Sequence, residues 1–561
     1  MLKGCLVVGC LAFALWGQRG GPGQMSQRPA APPLETDPTR LCRIEGRAVN
    51  AMTSEPIQRA SVTLSGSGSN ATGRSAKSDG EGRFLIENVQ PGVYRLVAEK
   101  VGFLRQAYGV RSAGGSAAPL NLSPGQTLKN VEMKLTPQGV ILGEVLDDEG
   151  DPLPWTSVAA YRLGGLGTTQ QSRQQAGGSA ATNDIGEYRL ANLAPGRYVL
   201  IAASQGRGGA RGGRQSETPE EVLLPTYYPS TLDPAGAVPV DITAGQEVGG
   251  ITVRLKRGAL YRVQGKIVGG TPQDLANVQV SLLPRDGGPS LFMGRARGGV
   301  GPDGTFQLTR VKPGSYYLMA QPMGRQGGGF VGRAAVEVAA SDATGLILPL
   351  AEPMTVSGTV RIEGDQKTAL QRLTVSLSSI DGLPFSVQNG RVAETGIFKL
   401  DSVSADNYYV TFYGLPEGAY VKSVRMANQE VLDKGVNLTN SRGGVSLDVI
   451  LSPKAGSVEG VVLGQDKPAA GSFVAMLADP IRPGQPYLNK SATADQDGRF
   501  TLTGVAPGDY RLYAWEETQS EVLREPGLAK PFEPKSVSVT VEESGSQRVE
   551  LKVLRPEDAQ K

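Results

Sequence analysis

The side chains in this sequence best suited to meeting a ligand are aromatic. In the run YRLYAW (510–515), Tyr510, Leu512 and Ala514 share one parity and Tyr513 and Trp515 the other. On a strand the first set faces a core and the second projects from the opposite face. Two aromatic faces two residues apart suit stacking on the apolar side of a sugar ring, or burial in a protein interface. Tyr409 and Tyr413 fall on the same outer parity of a similar run. The loop pair Tyr227 and Tyr228, set before Pro229, and Trp155, set after Pro154, complete the candidates. The expected ligand-binding residues are therefore Tyr513, Trp515, Tyr227, Tyr228 and Trp155.

Other chemistries fail on residue type. Among 561 residues there is no His. That removes Ser-His-Asp and Cys-His catalysis, His-ligated zinc and the commonest general base. The three Cys are Cys5, Cys10 and Cys42, and the first two fall in an apolar N-terminal run. With that run removed, no intrachain disulfide, four-cysteine zinc site or Cys-x-x-Cys redox pair can form. The Gly-rich runs lack the G-x-x-x-x-G-K-[ST] spacing of a phosphate loop. The tract GRGGARGGR (206–214) superficially resembles RNA-binding Arg-Gly segments, but reads as a solvated loop in an exported chain. Asp495-Gln496-Asp497-Gly498 could open a calcium loop, yet Phe500 and Leu502 stand where further ligands belong, so a hairpin turn is expected. The carboxylate groups Asp147-Asp148-Glu149 and Glu516-Glu517 have nothing to place them across a cleft. No enzyme, no cofactor and no metal is expected. A net charge of +3 gives no reason to expect nucleic acid or an anionic membrane as partner.

What must position the aromatics is a thirteen-residue phrase that recurs five times without insertion or deletion. Its copies are GRFLIENVQPGVY (82–94), GEYRLANLAPGRY (186–198), GTFQLTRVKPGSY (304–316), GIFKLDSVSADNY (396–408) and GRFTLTGVAPGDY (498–510). Counted from the leading Gly, an aromatic stands at +2, Ile or Leu at +4, Val or Leu at +7 and Tyr at +12. Aromatic-x-aliphatic alternation has the period of a strand with one buried face. The leading Gly, often with Asp79, Asp184, Asp303 or Asp497 upstream, supplies the positive φ of a tight turn. Pro-Gly at +9 and +10 turns the chain again, with Ala405-Asp406 replacing it in the fourth copy. A second alternating run follows each closing Tyr, which suggests a tyrosine corner: ring inside, hydroxyl tying down a backbone group. Each unit opens on a strand centred on a Gly: Gly46, Gly143, Gly265, Gly358 and Gly460.

The opening G-x-V strand, the D-x-x-G-x-F hairpin and the L-x-x-V-x-P-G-x-Y turn together resemble the carboxypeptidase regulatory-like domain. The resemblance covers roughly residues 42–553. It implies a transthyretin-like, seven-stranded sandwich of the carbohydrate-binding-like class, found as a non-catalytic appendage of metallocarboxypeptidases and in tandem in bacterial secreted or envelope proteins. The phrase at 225–229, PTYYP, is similar to one in such tandem proteins. The zinc residues of the carboxypeptidases and the catalytic residues of transthyretin-like hydrolases have no counterpart, since both sets need His. Fold alone does not fix activity.

The expected organisation is all-β, a tandem array of five seven-stranded transthyretin-like or Ig-like sandwiches: 42–137, 138–257, 258–352, 353–453 and 454–555. Residues 1–17 read as a signal peptide, with an apolar stretch too short to span a bilayer, and 18–41 as a disordered Gly/Pro-rich linker. No transmembrane span is expected in the mature chain. The expectation for function is an exported, non-catalytic binding or adhesion protein, at the cell surface, in the periplasm or released. Its partner is carbohydrate or an envelope protein. The alternative is a spacer or scaffold at the envelope with no small-molecule ligand.

Overall fold

The computed structural model describes residues 37–559 apart from 67–72, 111–114, 164–173, 205–219, 286–296, 323–331, 352–353, 365–369, 381–388, 440, 442–443 and 483. The leader expected at 1–17, the linker up to residue 36 and the Arg-Gly tract at 206–214 lie outside the described residues.

Among the described residues ten sheets stack in pairs as five sandwiches, and one pairing scheme repeats in all of them. The opening strands are Cys42–Asn50, Gly139–Leu146, Lys256–Val268, Met354–Ile362 and Gly456–Gly464. Each pairs antiparallel with the first strand of its phrase and parallel with a closing strand, as Cys42–Asn50 does with Arg83–Val89 and Thr127–Leu135. The second strand of the phrase sits in the facing sheet, as Gly508–Trp515 does between Phe473–Ala478 and Val537–Val541. Each sandwich has its own core, and the +2, +4, +7 and +12 residues of its phrase are buried in it.

The recurring residues have local physical causes. The leading glycines Gly82, Gly186, Gly304, Gly396 and Gly498 all take φ between 73° and 83°, where a Cβ is strained. The strand glycines Gly46, Gly143, Gly265, Gly358 and Gly460 sit directly opposite Phe84, Tyr188, Phe306, Phe398 and Phe500 in the ladder. The aromatic ring folds across the glycine: a Cβ on Gly460 would lie 2.7 Å from Phe500 Cζ. A missing side chain on one strand thus makes room for a large one on its neighbour.

All five closing tyrosines donate a hydroxyl hydrogen bond to the carbonyl four residues upstream. The pairs are Tyr94 to Gln90 at 2.8 Å, Tyr198 to Ala194 at 2.6 Å, Tyr316 to Lys312 at 3.0 Å, Tyr408 to Ser404 at 3.1 Å and Tyr510 to Ala506 at 2.8 Å. The tyrosine corner is therefore present in every unit, including the fourth, where Ala405-Asp406 replaces Pro-Gly.

Two details differ from the sequence reading. In the first, second and fifth units the hairpin acceptor lies three residues before the leading Gly, while in the third Asp303, one residue before it, accepts the Thr305 N–H. Asp79, Asn183 and Asp495 each accept two backbone N–H groups there, while Asp184 and Asp497 do not. The phrase also carries an unexpected left-handed residue at +6, namely Asn88, Asn192, Arg310, Ser402 and Gly504, with φ from 57° to 67°. It coincides with a register shift against the opening strand, a bulge that bends the phrase toward its turn.

The sandwiches are joined closely. Between the first and second, Phe103 bridges to Pro137 and the Gln138 N–H donates to Gly102 O. The strand Glu220–Leu224, from the second unit, adds antiparallel to the opening strand of the third. Arg333 meets Asp406 at 3.4 Å between the third and fourth. The Tyr487 ring packs edge-on against Phe412, and the Tyr420 hydroxyl donates to Glu543, between the fourth and fifth. The fifth sandwich then returns to the first.

Candidate binding surfaces

The outer face of the fifth sandwich carries the predicted aromatic pair, and the predicted parity holds. Tyr513 and Trp515 lie on the face opposite Leu512 and Ala514, with ring centroids 5.4 Å apart and ring planes nearly parallel. The expectation that they form an open platform is corrected: each is only 4% exposed. The connection after Trp515 is not a solvated loop. It folds as short 3-10 helices, Ser520–Leu523 and Pro526–Lys535, and lays Val522, Ala529 and Phe532 over the rings. Phe532 meets Trp515 edge-on at 5.8 Å. Three prolines, Pro526, Pro531 and Pro534, fix the backbone of the cap, so it forms without a helical apolar period. The stack is a second small core.

Tyr227 is corrected in the same way. It is buried with Ala159, Tyr161, Val199 and Ile201 on the outer face of the second sandwich. Tyr228 is half-buried against that unit's main core, ahead of a cis peptide bond to Pro229. Tyr409 packs on Gly484 of the fifth sandwich, whereas Tyr413 is exposed.

Trp155 alone of the five predicted residues stands open, at 66% exposure. Its backbone has φ of 57°. The same turn position holds Arg59 in the first sandwich and Gly471 in the fifth, both also at positive φ. In these three units the turn before the second strand takes a left-handed residue, whereas Asn277 in the third has φ of −100°, and Gly adopts the left-handed form at least cost. A bulky residue there carries strain of order 1–2 kcal/mol. The Trp155 N–H donates to Thr182 O at 3.2 Å, which fixes the turn under the ring.

Three of the carboxylates considered for catalysis, Asp147, Asp148 and Glu517, are engaged in structure. Asp147 Oδ1 accepts the N–H groups of Glu149, Gly150 and Asp151, and these bonds hold its carboxyl below the usual range. Asp148 pairs with Arg257 at 2.8 Å, and Glu517 faces Arg162 at 3.5 Å. The carboxylates of Asp147, Glu149 and Asp151 come within 4.8 Å of one another, with Oδ1 of the first already taken by three backbone donors. Asp495 is the hairpin acceptor, not the head of a calcium loop. Cys42 is buried, its thiol donating to Ser123 O and pushed up by desolvation, which makes it a poor nucleophile. Among the described residues no helix is long and apolar enough to cross a membrane.

A surface with no local sequence signal forms where the fifth sandwich meets the first. The Gln496 side chain takes both backbone groups of Asn121, accepting from its N–H at 3.0 Å and donating to its carbonyl at 3.3 Å. Asn121 Nδ2 donates to Asp495 Oδ2 at 3.1 Å, and the hydroxyls of Ser116 and Thr518 are 2.7 Å apart. Gly471 packs against the backbone of Gly109 and Ser116, with no room for a Cβ. Arg162 of the second sandwich reaches Glu517 of the fifth. The partners are some 355 to 402 residues apart in sequence, so nothing in either segment alone marks them.

Comparison with known proteins gives one family match and several distant structural likenesses. Residues 43–135 match the carboxypeptidase regulatory-like domain. A search of curated proteins finds no match. Among solved structures, the TIE protein of Bacillus anthracis is similar at 11% identity, covering 70% of this chain and 69% of that one, with a TM-score of 0.16. The full-length RrgB pilus protein of Streptococcus pneumoniae is similar at 9% identity, covering 75% and 98%, with a TM-score of 0.16. GBS52, the minor pilin of Streptococcus agalactiae, is similar at 15% identity, covering 38% and 96%, with a TM-score of 0.22. Likeness at these scores carries no argument. On its pairing scheme, shared by all five units, the chain is a tandem β-sandwich protein whose first unit matches the carboxypeptidase regulatory-like domain.

Proposed function

We propose that this chain is an exported, non-catalytic binding protein whose ligand is carbohydrate, held at exposed loops and at the junctions between sandwiches. The observation that carries the reading is the return of the fifth sandwich onto the first and second. A spacer sets distance by keeping its ends apart, whereas the contact between Asn121 and Gln496 brings the ends of this array together. Closure sacrifices reach and gains inter-sandwich surface. Trp155 supports the same reading. A strained, exposed indole where Gly471 serves in another unit has a cost in stability that ligand contact would offset. The absence of His supports a non-catalytic role.

A glycan array probed with wild type and with Trp155→Ala tests this proposal. The expected result is binding by wild type to a restricted set of glycans, with signal on at least part of that set reduced tenfold or more in the variant. Wild type that binds no glycan overturns it and returns the spacer reading.

A further inference from the structure

A cleft of about 1100 Å³ opens where the first, second and fifth sandwiches meet. It is larger than most small-molecule pockets, which span roughly 300–1,000 Å³, and suits a segment of a longer molecule. Its walls come from three units: Arg95 and Arg105 from the first, Arg162 and Asn192 from the second, Glu517 and Thr518 from the fifth. Three guanidinium groups therefore face one carboxylate. Arg162 is spoken for, since it donates to Pro195 O and meets Glu517. Arg105 forms a solvent-exposed pair with Glu99, an arrangement that contributes little and exchanges readily. Arg95 makes no ion pair among the described residues. The rest of the lining is mostly small or neutral polar, including Gln106, Thr136 and Thr493.

The geometry points to a ligand that is both hydroxylated and carboxylated, namely an acidic polysaccharide segment built from uronate sugars. Guanidinium forks match carboxylates two bonds at a time, while the amides and hydroxyls between them exchange hydrogen bonds with sugar hydroxyls. The site exists only while the array is closed, because the fifth sandwich supplies one wall. This inference rests on the carbohydrate reading and names the class of sugar and the place. It does not involve Trp155.

The test is titration calorimetry of the full chain with three probes: oligogalacturonate, a neutral dextran oligosaccharide of equal length, and citrate. The same titrations are run on the double variant Arg95→Gln with Arg105→Gln. Both positions are solvent-facing, and an unchanged melting profile verifies folding. The expected result is oligogalacturonate binding to wild type, at least tenfold weaker in the double variant, with neither dextran nor citrate bound comparably. Citrate binding as tightly as the uronate would reduce the cleft to a general anion site and overturn the inference. Oligogalacturonate affinity unchanged in the double variant would also overturn it. Dextran bound equally by both proteins would remove the acidic class yet leave the carbohydrate reading standing. Failure of every sugar, here and on the glycan array, would remove both.

Discussion

Tyr510→Phe deletes one oxygen and keeps the ring that fills the fifth core. The hydroxyl donates to Ala506 O at 2.8 Å, and both residues are buried, at 2% and 7% exposure. Water cannot replace the lost donor, so the carbonyl is left unsatisfied at a cost of about 1–3 kcal/mol. A midpoint of about 2 kcal/mol corresponds to roughly a 30-fold change in the opening equilibrium. The assay is amide hydrogen exchange by mass spectrometry on the full chain, reading the strand Gly508–Trp515. Exchange there should quicken by about 30-fold, by the same conversion. The control is Tyr413→Phe, whose ring is 59% exposed and whose removal of a hydroxyl should change exchange less than about twofold. Equal protection in wild type and Tyr510→Phe would refute the corner as a structural tie, as would an equal effect from the control.

Gly460→Ala should destabilise the fifth sandwich by about 1–3 kcal/mol, because the new methyl would run into the backbone carbonyl of Val549 and lie 2.7 Å from the Phe500 ring, and Phe500→Leu should restore only the part due to the ring. Chemical denaturation monitored by near-UV circular dichroism reads both variants. Trp515→Ala should cost about 3–5 kcal/mol by opening the Tyr513–Phe532 cluster, read by the same denaturation. A third expectation concerns alkali. Burial raises the phenols of Tyr94, Tyr198 and Tyr408, and pushes Tyr510 up to about 12 from 10.0. A raised acid gives stability that is complete below the unfolded value near 10 and lost as pH climbs through the folded one, worth about 2–3 kcal/mol for Tyr510. The melting temperature should therefore fall steeply above about pH 10, and a flat profile from pH 9 to 12 would contradict the burial of these rings.

The residues that shape backbone were readable because each acts within its own phrase. A Gly at positive φ, an aromatic opposite a strand Gly and a Tyr four residues from its acceptor are short-range devices, and five copies made them visible. The +6 bulge escaped because Asn, Arg, Ser and Gly all fill it, so only its position recurs. The exposure of Tyr513, Trp515 and Tyr227 was misread for a different reason. Strand parity says which face a side chain takes, but not what lies on that face. The cover came from residues 520–535, a Pro-rich run with no apolar period. Trp155 was legible because Pro on one side and a polar strand start on the other left the ring nothing to pack on. The meeting of Asn121 with Gln496, and of Arg162 with Glu517, depends on how five bodies are angled, and no local pattern encodes that.

Closure of the array is tested most directly by small-angle X-ray scattering of the purified chain. A sandwich of about 100 residues has a radius of gyration of about 13 Å. Five such bodies closed on one another give a whole-chain value of about 30 Å, and five in an extended line about 48 Å, on the same per-domain size. The account predicts the smaller value for wild type and a clear increase for Asn121→Ala with Gln496→Ala. A wild-type value near the larger figure, unmoved by that double variant, would contradict it.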